Sequence, residues 1–231
     1  MHPSLEYTAS TLLAEELRWS GQYSRIAGVD EAGRGPLAGP VTAACVQLPK
    51  SWIEFQSIPT AWTGLTDSKQ LSPQQRDHFF EVITHSPDVS WSIASCSSAQ
   101  VDVLNILRAT HQAMRQAVEK LSPMPDFLLI DGLPIPKFPF KHAGIVKGDS
   151  LSLCIAAASV LAKVTRDRAM LEFHKLYPGY GFDVHKGYPT KAHQLALEKL
   201  GPCPIHRISF GPVAALSTTN RPPIQIELLG P

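Results

Sequence analysis

Apolar and polar residues follow two periods along this chain, and the changes between them mark its elements. Leu5, Leu12, Leu13 and Leu17 predict a short N-terminal helix over residues 4–19. Residues 26–31 read as a strand that stays apolar through Val29 and then turns acidic. The Gly/Pro-rich stretch 33–40 reads as a loop, and the apolar run 41–48 as a second strand. Ser72-Pro73-Gln74-Gln75 opens a helix: Ser72 can cap it, Pro73 suits its first position and Gln75 can close a capping box. Phe79, Phe80, Val82 and Ile83 then give that helix an apolar side. Residues 90–96 alternate as a half-buried strand does, with Trp91 and Ile93 as large positions.

Val103, Leu107, Met114, Val118 and Leu121 recur at helical spacing and predict one helix ending before Pro123. Phe127 to Ile130 is a buried strand that delivers Asp131 and Gly132. A short strand is predicted around Ile145-Val146, ahead of Gly148-Asp149. A long helical pattern follows through Leu151, Ile155, Ala158, Ala162, Phe173 and Leu176, with Asp149 at its opening, and stops at Pro178-Gly179. A last helix spans 190–200 and ends at Gly201-Pro202. This order predicts an α/β fold, a central mixed sheet flanked by helices with a C-terminal helical segment. The chain divides into a helical extension (1–23), a main domain (24–216) and a Pro-rich tail (217–231).

Composition narrows the class. With 231 residues, 44% hydrophobic and 18% charged, the chain can bury one substantial core. Its richest apolar stretch, 151–161, is far short of the ~20 residues of a membrane span. Met1-His2-Pro3 lacks the charged-then-apolar order of a signal peptide, so a cytoplasmic location is the expectation, and a monomer is the default for the open question of oligomeric state. Four scattered cysteines form no C-x-x-C pair, and Cys203 with His206 has no second pair to complete a zinc site. A net charge of +1 shows no global basic excess. Any basic surface must then be local, and Lys137, Lys141, His142, Lys147, Lys163, Arg166 and Arg168 make the second half its place, with an ordinary solvated face as the equal alternative.

Candidate chemistry gathers at strand ends. Asp30 and Glu31 close the first strand, Asp131 follows the strand at Ile130, and Asp149 precedes the long helix. Ligands of such sheets collect at the carboxyl ends of strands. Adjacent acids repel and resist burial, a cost that a divalent cation offsets. Hard oxygen donors suit Mg²⁺ or Mn²⁺, and four acids can hold two ions to clamp a phosphodiester displacement. Bland alternatives remain for two of them: Asp149 as a helix cap and Asp131 as a turn residue. The loop Gly33-Arg34-Gly35 lets backbone approach a ligand closely, and it lacks the Gly-Lys-Ser/Thr ending of a P-loop.

The segment Gly28-Val29-Asp30-Glu31-Ala32-Gly33-Arg34-Gly35-Pro36 resembles the signature of the type 2 ribonucleases H (ribonuclease HII). Thr66-Asp67-Ser68-Lys69, the stretch 105–110, Ile130-Asp131-Gly132, Lys147-Gly148-Asp149 with 156–167, Gly187-Tyr188-Pro189-Thr190 and 206–210 resemble the family's other blocks, in family order. The resemblance implies a ribonuclease H-like fold with a five-stranded mixed sheet. It implies cleavage of RNA in RNA–DNA hybrids and nicking 5′ of ribonucleotides embedded in duplex DNA, leaving 3′-hydroxyl and 5′-phosphate ends. Asp30, Glu31, Asp131 and Asp149 would be the catalytic carboxylates and would hold Mn²⁺ or Mg²⁺ ions that activate a water. Gly33, Arg34, Gly35 and Tyr188 would read the 2′-hydroxyl, the group that separates RNA from DNA.

Lys69, Lys163 and Arg166 are candidate phosphate contacts, with Ser68 or Ser159 adding a hydroxyl. Asp167 is expected to pair with a nearby Arg, and His206 and Arg207 to brace the C-terminal segment. In the tail, Gln225 to Leu229 loosely resembles the peptides that dock into bacterial sliding clamps. A type 1 ribonuclease H, which needs a run of ribonucleotides, and a non-catalytic hybrid-binding protein are the rival readings.

Overall fold

The computed structural model describes residues 12–217. The first part of the N-terminal helix and the Gln225–Leu229 segment lie outside the described residues. A five-stranded sheet forms the centre, from β1 (Ile26–Ala32), β2 (Val41–Gln47), β3 (Ser90–Cys96), β4 (Phe127–Asp131) and β5 (His142–Ile145). Its order is β3-β2-β1-β4-β5. The first three strands pair antiparallel as a meander, while β1–β4 and β4–β5 are parallel. The sheet is therefore mixed, with β1 at the junction between the two halves.

Each face of the sheet is covered by a helix, because β1 and β2 are apolar on both faces. On one face lies the long helix Leu153–Leu176, whose Cys154, Ala157 and Leu161 join Ala44 and Val46 of β2 in one core. On the other lies Ile106–Glu119, whose Ala109, Ala113 and Ala117 meet Ala27, Val29, Ala43 and Cys45. Gly28 is the point of closest approach. A side chain there would collide with the backbone of Cys154, so only glycine lets the long helix sit this close to β1. A third core, with Leu37, Met170, Phe182 and Leu197, anchors the C-terminal helical segment, which includes Lys191–Leu200 and Gly211–Ser217.

The N-terminal helix Ala14–Ser20 is tied to the domain by burial. Leu12 and Leu13 enter the core of the long-helix face, and Trp19 and Tyr23 pack on Phe127. Its Glu16 is fully buried and accepts hydrogen bonds from Ser152 Oγ (2.7 Å) and the Cys154 amide (2.8 Å).

Local signals placed most elements, and three expectations need correction. The capping box at Ser72 is formed as read, with both reciprocal bonds present over Pro73–His85. The helix expected through Val103 and Leu107 is instead broken at Asn105, which has φ 65° and caps the following helix through the Arg108 amide. Val103 and Leu107 are exposed, so their spacing reported no buried stripe. A separate helix, Ser98–Leu104, precedes the break and opens on its own capping box at Ser97 and Gln100. The strand expected at Ile145-Val146 lies earlier, at His142–Ile145, and Val146 is exposed. It is an edge strand whose first three residues are half-buried and only Ile145 buried, so it shows no apolar run. Finally, Asp149 does not open the long helix: it sits in a 3-10 turn, Gly148–Ser150, and Ser152 caps the helix by accepting from the Ile155 amide. No helix among the described residues is long and apolar enough to cross a membrane.

Candidate active site

Strand pleating decides which acids meet. Ile26 and Gly28 of β1 face the long helix, whereas Ala27 and Val29 face the opposite core. By alternation Asp30 shares the long-helix side and Glu31 the other. On β4, Phe127 and Leu129 take the long-helix side, so Asp131 does too. Parallel pairing of Val29 with Ile130 brings the next residues, Asp30 and Asp131, to the same edge. The turn that leads into the long helix then delivers Asp149 to that edge.

The result is a compact group. One carboxylate oxygen from each of Asp30, Asp131 and Asp149 lies within 4.8 Å of the others. Glu31 is adjacent but stands outside this trio, turned toward Arg34 at 3.4 Å. Backbone amides fix two of the acids: Glu31 N–H donates to Asp30 Oδ1 (2.7 Å) and Gly148 N–H to Asp131 Oδ1 (2.8 Å). Lys69 Nζ reaches Asp149 Oδ2 at 3.2 Å.

Electrostatics mark the group as short of positive charge. Burial, followed by the charges of Glu31, Asp131 and Asp149, holds the Asp30 carboxyl well above the usual range. Burial also raises Glu31, against the opposing pull of Arg34. Asp149 is raised by burial and by Asp131, and its hydrogen bond to Lys69 works the other way. Burial opposes the Lys69 charge, but its contacts with Asp149 and Asp67 outweigh that and raise its pKa. One exposed lysine does not neutralise three clustered carboxylates. Their hard oxygen donors and unmet charge fit a divalent cation. A cleft of about 420 Å³ opens beside them, lined by Asp67, Lys69, Gln70, Asp131, Lys147 and Asp149.

The expected substrate contacts divide. A Cβ placed on Gly35 would have the Tyr188 ring as its neighbour at 3.8 Å, so the glycine loop and the half-exposed tyrosine form one surface. Lys163 Nζ stands 5.9 Å from the centroid of that ring and pairs with Asp167 at 2.9 Å. Asp167 thus pairs with a lysine, not with the expected arginine. A groove of about 660 Å³ runs past Lys163, Arg168, Lys186 and Tyr188.

Three candidates turn inward. Arg166 is only 1% exposed: its Nε and Nη2 donate to the carbonyls of Pro40, Ala38 and Lys186 and its Nη1 is buried, so it does not present itself to a phosphate. Ser159 is buried; its hydroxyl donates to Ala156 O and accepts from the Ser68 amide, which fixes the Ser68–Lys69 turn. Ser68 itself is buried, and Arg76 holds its carbonyl at 3.0 Å.

A family model described as Ribonuclease HII matches residues 27–213, a span that holds the four carboxylates, the glycine loop and Tyr188. The chain belongs to the ribonuclease HII family. Ribonuclease HII of Chlamydia caviae is 49% identical over 208 residues, covering 90% of this chain and 93% of that protein. Among solved structures, ribonuclease H2 of Pyrococcus horikoshii OT3 superposes with TM-score 0.67 at 25% identity, over 83% of this chain and 96% of that one. Bst-RNase HIII in complex with Mn²⁺ shares the fold, with TM-score 0.59 at 16% identity over 94% of this chain and 73% of that one. The chain is therefore a metal-dependent ribonuclease H, a hydrolase of RNA in RNA–DNA hybrids.

Sequence reading missed two features of this site. Asp67 lines the acid cleft and lies 3.9 Å from Lys69 Nζ. It belongs to the Thr66-Asp67-Ser68-Lys69 stretch, where nothing local sets it apart from a turn residue. Arg207 was read as a brace for the C-terminal segment. It is fully buried beneath residues 33–40, which no local pattern announces.

Proposed function

We propose that this enzyme nicks duplex DNA on the 5′ side of an embedded ribonucleotide, leaving 3′-hydroxyl and 5′-phosphate ends. The observation that carries this reading is the closeness of Gly35 to the Tyr188 ring, 3.8 Å from where a Cβ on that glycine would stand. The loop continues directly from the strand that bears Asp30 and Glu31, so recognition and chemistry share one backbone segment. A 2′-hydroxyl both donates and accepts, and it can be met by backbone groups at a glycine and by a tyrosine.

Asp30, Asp131 and Asp149, with Glu31 beside them, would hold two divalent cations, Mg²⁺ or Mn²⁺. When bound, such ions supply Lewis-acid stabilisation of the attacking and leaving oxygens. The protein's own groups set the rest. The Gly148 amide and the Glu31 amide hold Asp131 and Asp30 in fixed rotamers. Lys69 bridges Asp149 and the cleft, where it can follow a scissile phosphate as charge builds. Lys163 faces the groove beside Tyr188 as a phosphate contact. The Gln225–Leu229 segment is proposed as a sliding-clamp ligand on its sequence alone.

Cleavage of a DNA duplex carrying one ribonucleotide, with Mg²⁺ or Mn²⁺ and with EDTA as control, tests the reading. One metal-dependent nick 5′ of the ribonucleotide is expected. Cutting confined to long RNA–DNA hybrids would keep the acid site and remove the junction role of Gly33, Arg34, Gly35 and Tyr188.

A further inference from the structure

Residues 33–40 contain five glycines or prolines, three in the first four positions and two in the last two, a composition that ordinarily gives a mobile loop. Here the carbonyls of the loop are held almost completely, by two arginines. Arg207 donates from Nε to Gly39 O (3.0 Å), from Nη1 to Arg34 O (3.0 Å) and Pro36 O (2.8 Å), and from Nη2 to Gly33 O (2.6 Å). Arg166 donates from Nε to Pro40 O (2.9 Å) and from Nη2 to Ala38 O (3.1 Å). The Arg207 backbone amide takes Leu37 O (2.8 Å). Of eight consecutive carbonyls, these two residues leave only that of Gly35.

The consequence is directional. In a trans peptide the carbonyl and the following N–H point opposite ways. Drawing the carbonyls of Gly33 and Arg34 inward turns the amides of Arg34 and Gly35 outward, and neither amide has a partner among the described residues. Gly33 permits this, with φ +98° and no side chain where Arg166 lies against it. Arg166 also bonds Lys186 O (3.0 Å) and stands 5.7 Å from the Tyr188 ring centroid, so one side chain ties the loop to the tyrosine.

The arrangement is costly. Both guanidinium groups are buried, and neither forms an ion pair among the described residues. Burial and the neighbouring charge of Arg166 both press the Arg207 pKa downward. Packing alone would be served by neutral side chains. Arginine supplies a planar fork of five donors, which lysine cannot match.

We propose that Arg166 and Arg207 are positioning residues for substrate selectivity: they aim the Arg34 and Gly35 amides at the substrate and lock Tyr188 in register with them. The proposal rests on the junction-reading role of the loop and Tyr188. On a uniform hybrid every register offers a 2′-hydroxyl, so a loosened reader still finds one. On a single embedded ribonucleotide only one register is productive. Loosening the clamp therefore penalises the second substrate more.

The test compares kcat/KM on a single-ribonucleotide duplex and on a uniform RNA–DNA hybrid for Arg207→Lys and Arg166→Lys, at temperatures where thermal melting shows each variant folded. Each is expected to lose at least tenfold more on the single-ribonucleotide duplex than on the hybrid. Equal losses on both substrates, or none, in a folded variant would overturn the proposal. If Arg207→Lys does not fold, Arg166→Lys decides alone. Tyr188→Ala separates the two layers of argument. An unmoved substrate ratio in Tyr188→Ala would sink the junction reading and the clamp with it. A shifted ratio there, with an unmoved one in Arg166→Lys, would sink only the clamp.

Discussion

Asp131 is held at the centre of the acid trio by a single amide, and its charge raises the pKa of Asp30, Glu31 and Asp149 alike. Replacing it with Asn keeps the shape and the acceptor oxygen but removes one negative charge from the surface that meets phosphates. Cleavage should fall by at least about a hundredfold, the scale on which loss of one charge-stabilising group acts. Hybrid affinity, measured by fluorescence anisotropy without turnover, should hold or improve. Full activity in Asp131→Asn would remove it from the catalytic set. Glu31 occupies a different position. Its face of the strand differs from that of Asp30, and Arg34 competes for its carboxylate. This split was already present in the alternation of β1, where successive residues face opposite sides, yet adjacency in sequence made the two acids look like one pair.

Among the elements, the tie between the N-terminal helix and the long helix has a testable pH signature. Glu16 lies at the start of the long helix, where amide groups favour an anion. Burial is the larger influence and raises its pKa, while the bonds from Cys154 and Ser152 oppose the rise. A folded-state pKa above the unfolded value means that the folded protein binds the proton more tightly. The stabilisation is complete below the unfolded value and is lost as pH climbs through the folded one. Glu16→Gln cannot titrate, so the difference in Tm between wild type and variant should shift against wild type as pH rises from 4 toward 8. Parallel Tm curves would show that Glu16 contributes no proton linkage. Element reading from sequence succeeded where the signal was local, as at Ser72 with Gln75. It failed where burial decides: Val103 and Leu107 had helical spacing but face solvent, and the edge strand at His142 had no apolar run.

For the whole molecule, the acids were legible because each closes a strand or a turn, whereas the partners of Arg166 were not. Its carbonyl acceptors at Ala38 and Pro40 are 128 and 126 residues away, so a basic residue in a family block looked like a phosphate contact. With Arg166 withdrawn, the positive charge left to meet phosphates is small. The chain carries only one more base than acid, and Lys163 and Arg168 in the groove each already hold a carboxylate. Binding should thus have a shallow dependence on salt, set by few phosphate contacts rather than by a global field. Each contact contributes roughly 0.9 to the slope of log K against log salt concentration for duplex DNA. Lys163→Ala should weaken hybrid binding about equally across sequences and reduce that slope by about 0.9, measured by anisotropy between 50 and 200 mM salt, the range over which such contacts are commonly titrated. Asp167→Asn should act in the opposite sense on affinity, since it frees Lys163 from the ion pair that holds it at 2.9 Å. If neither variant changes the slope, Lys163 serves the helix surface and the phosphates are met elsewhere along the groove.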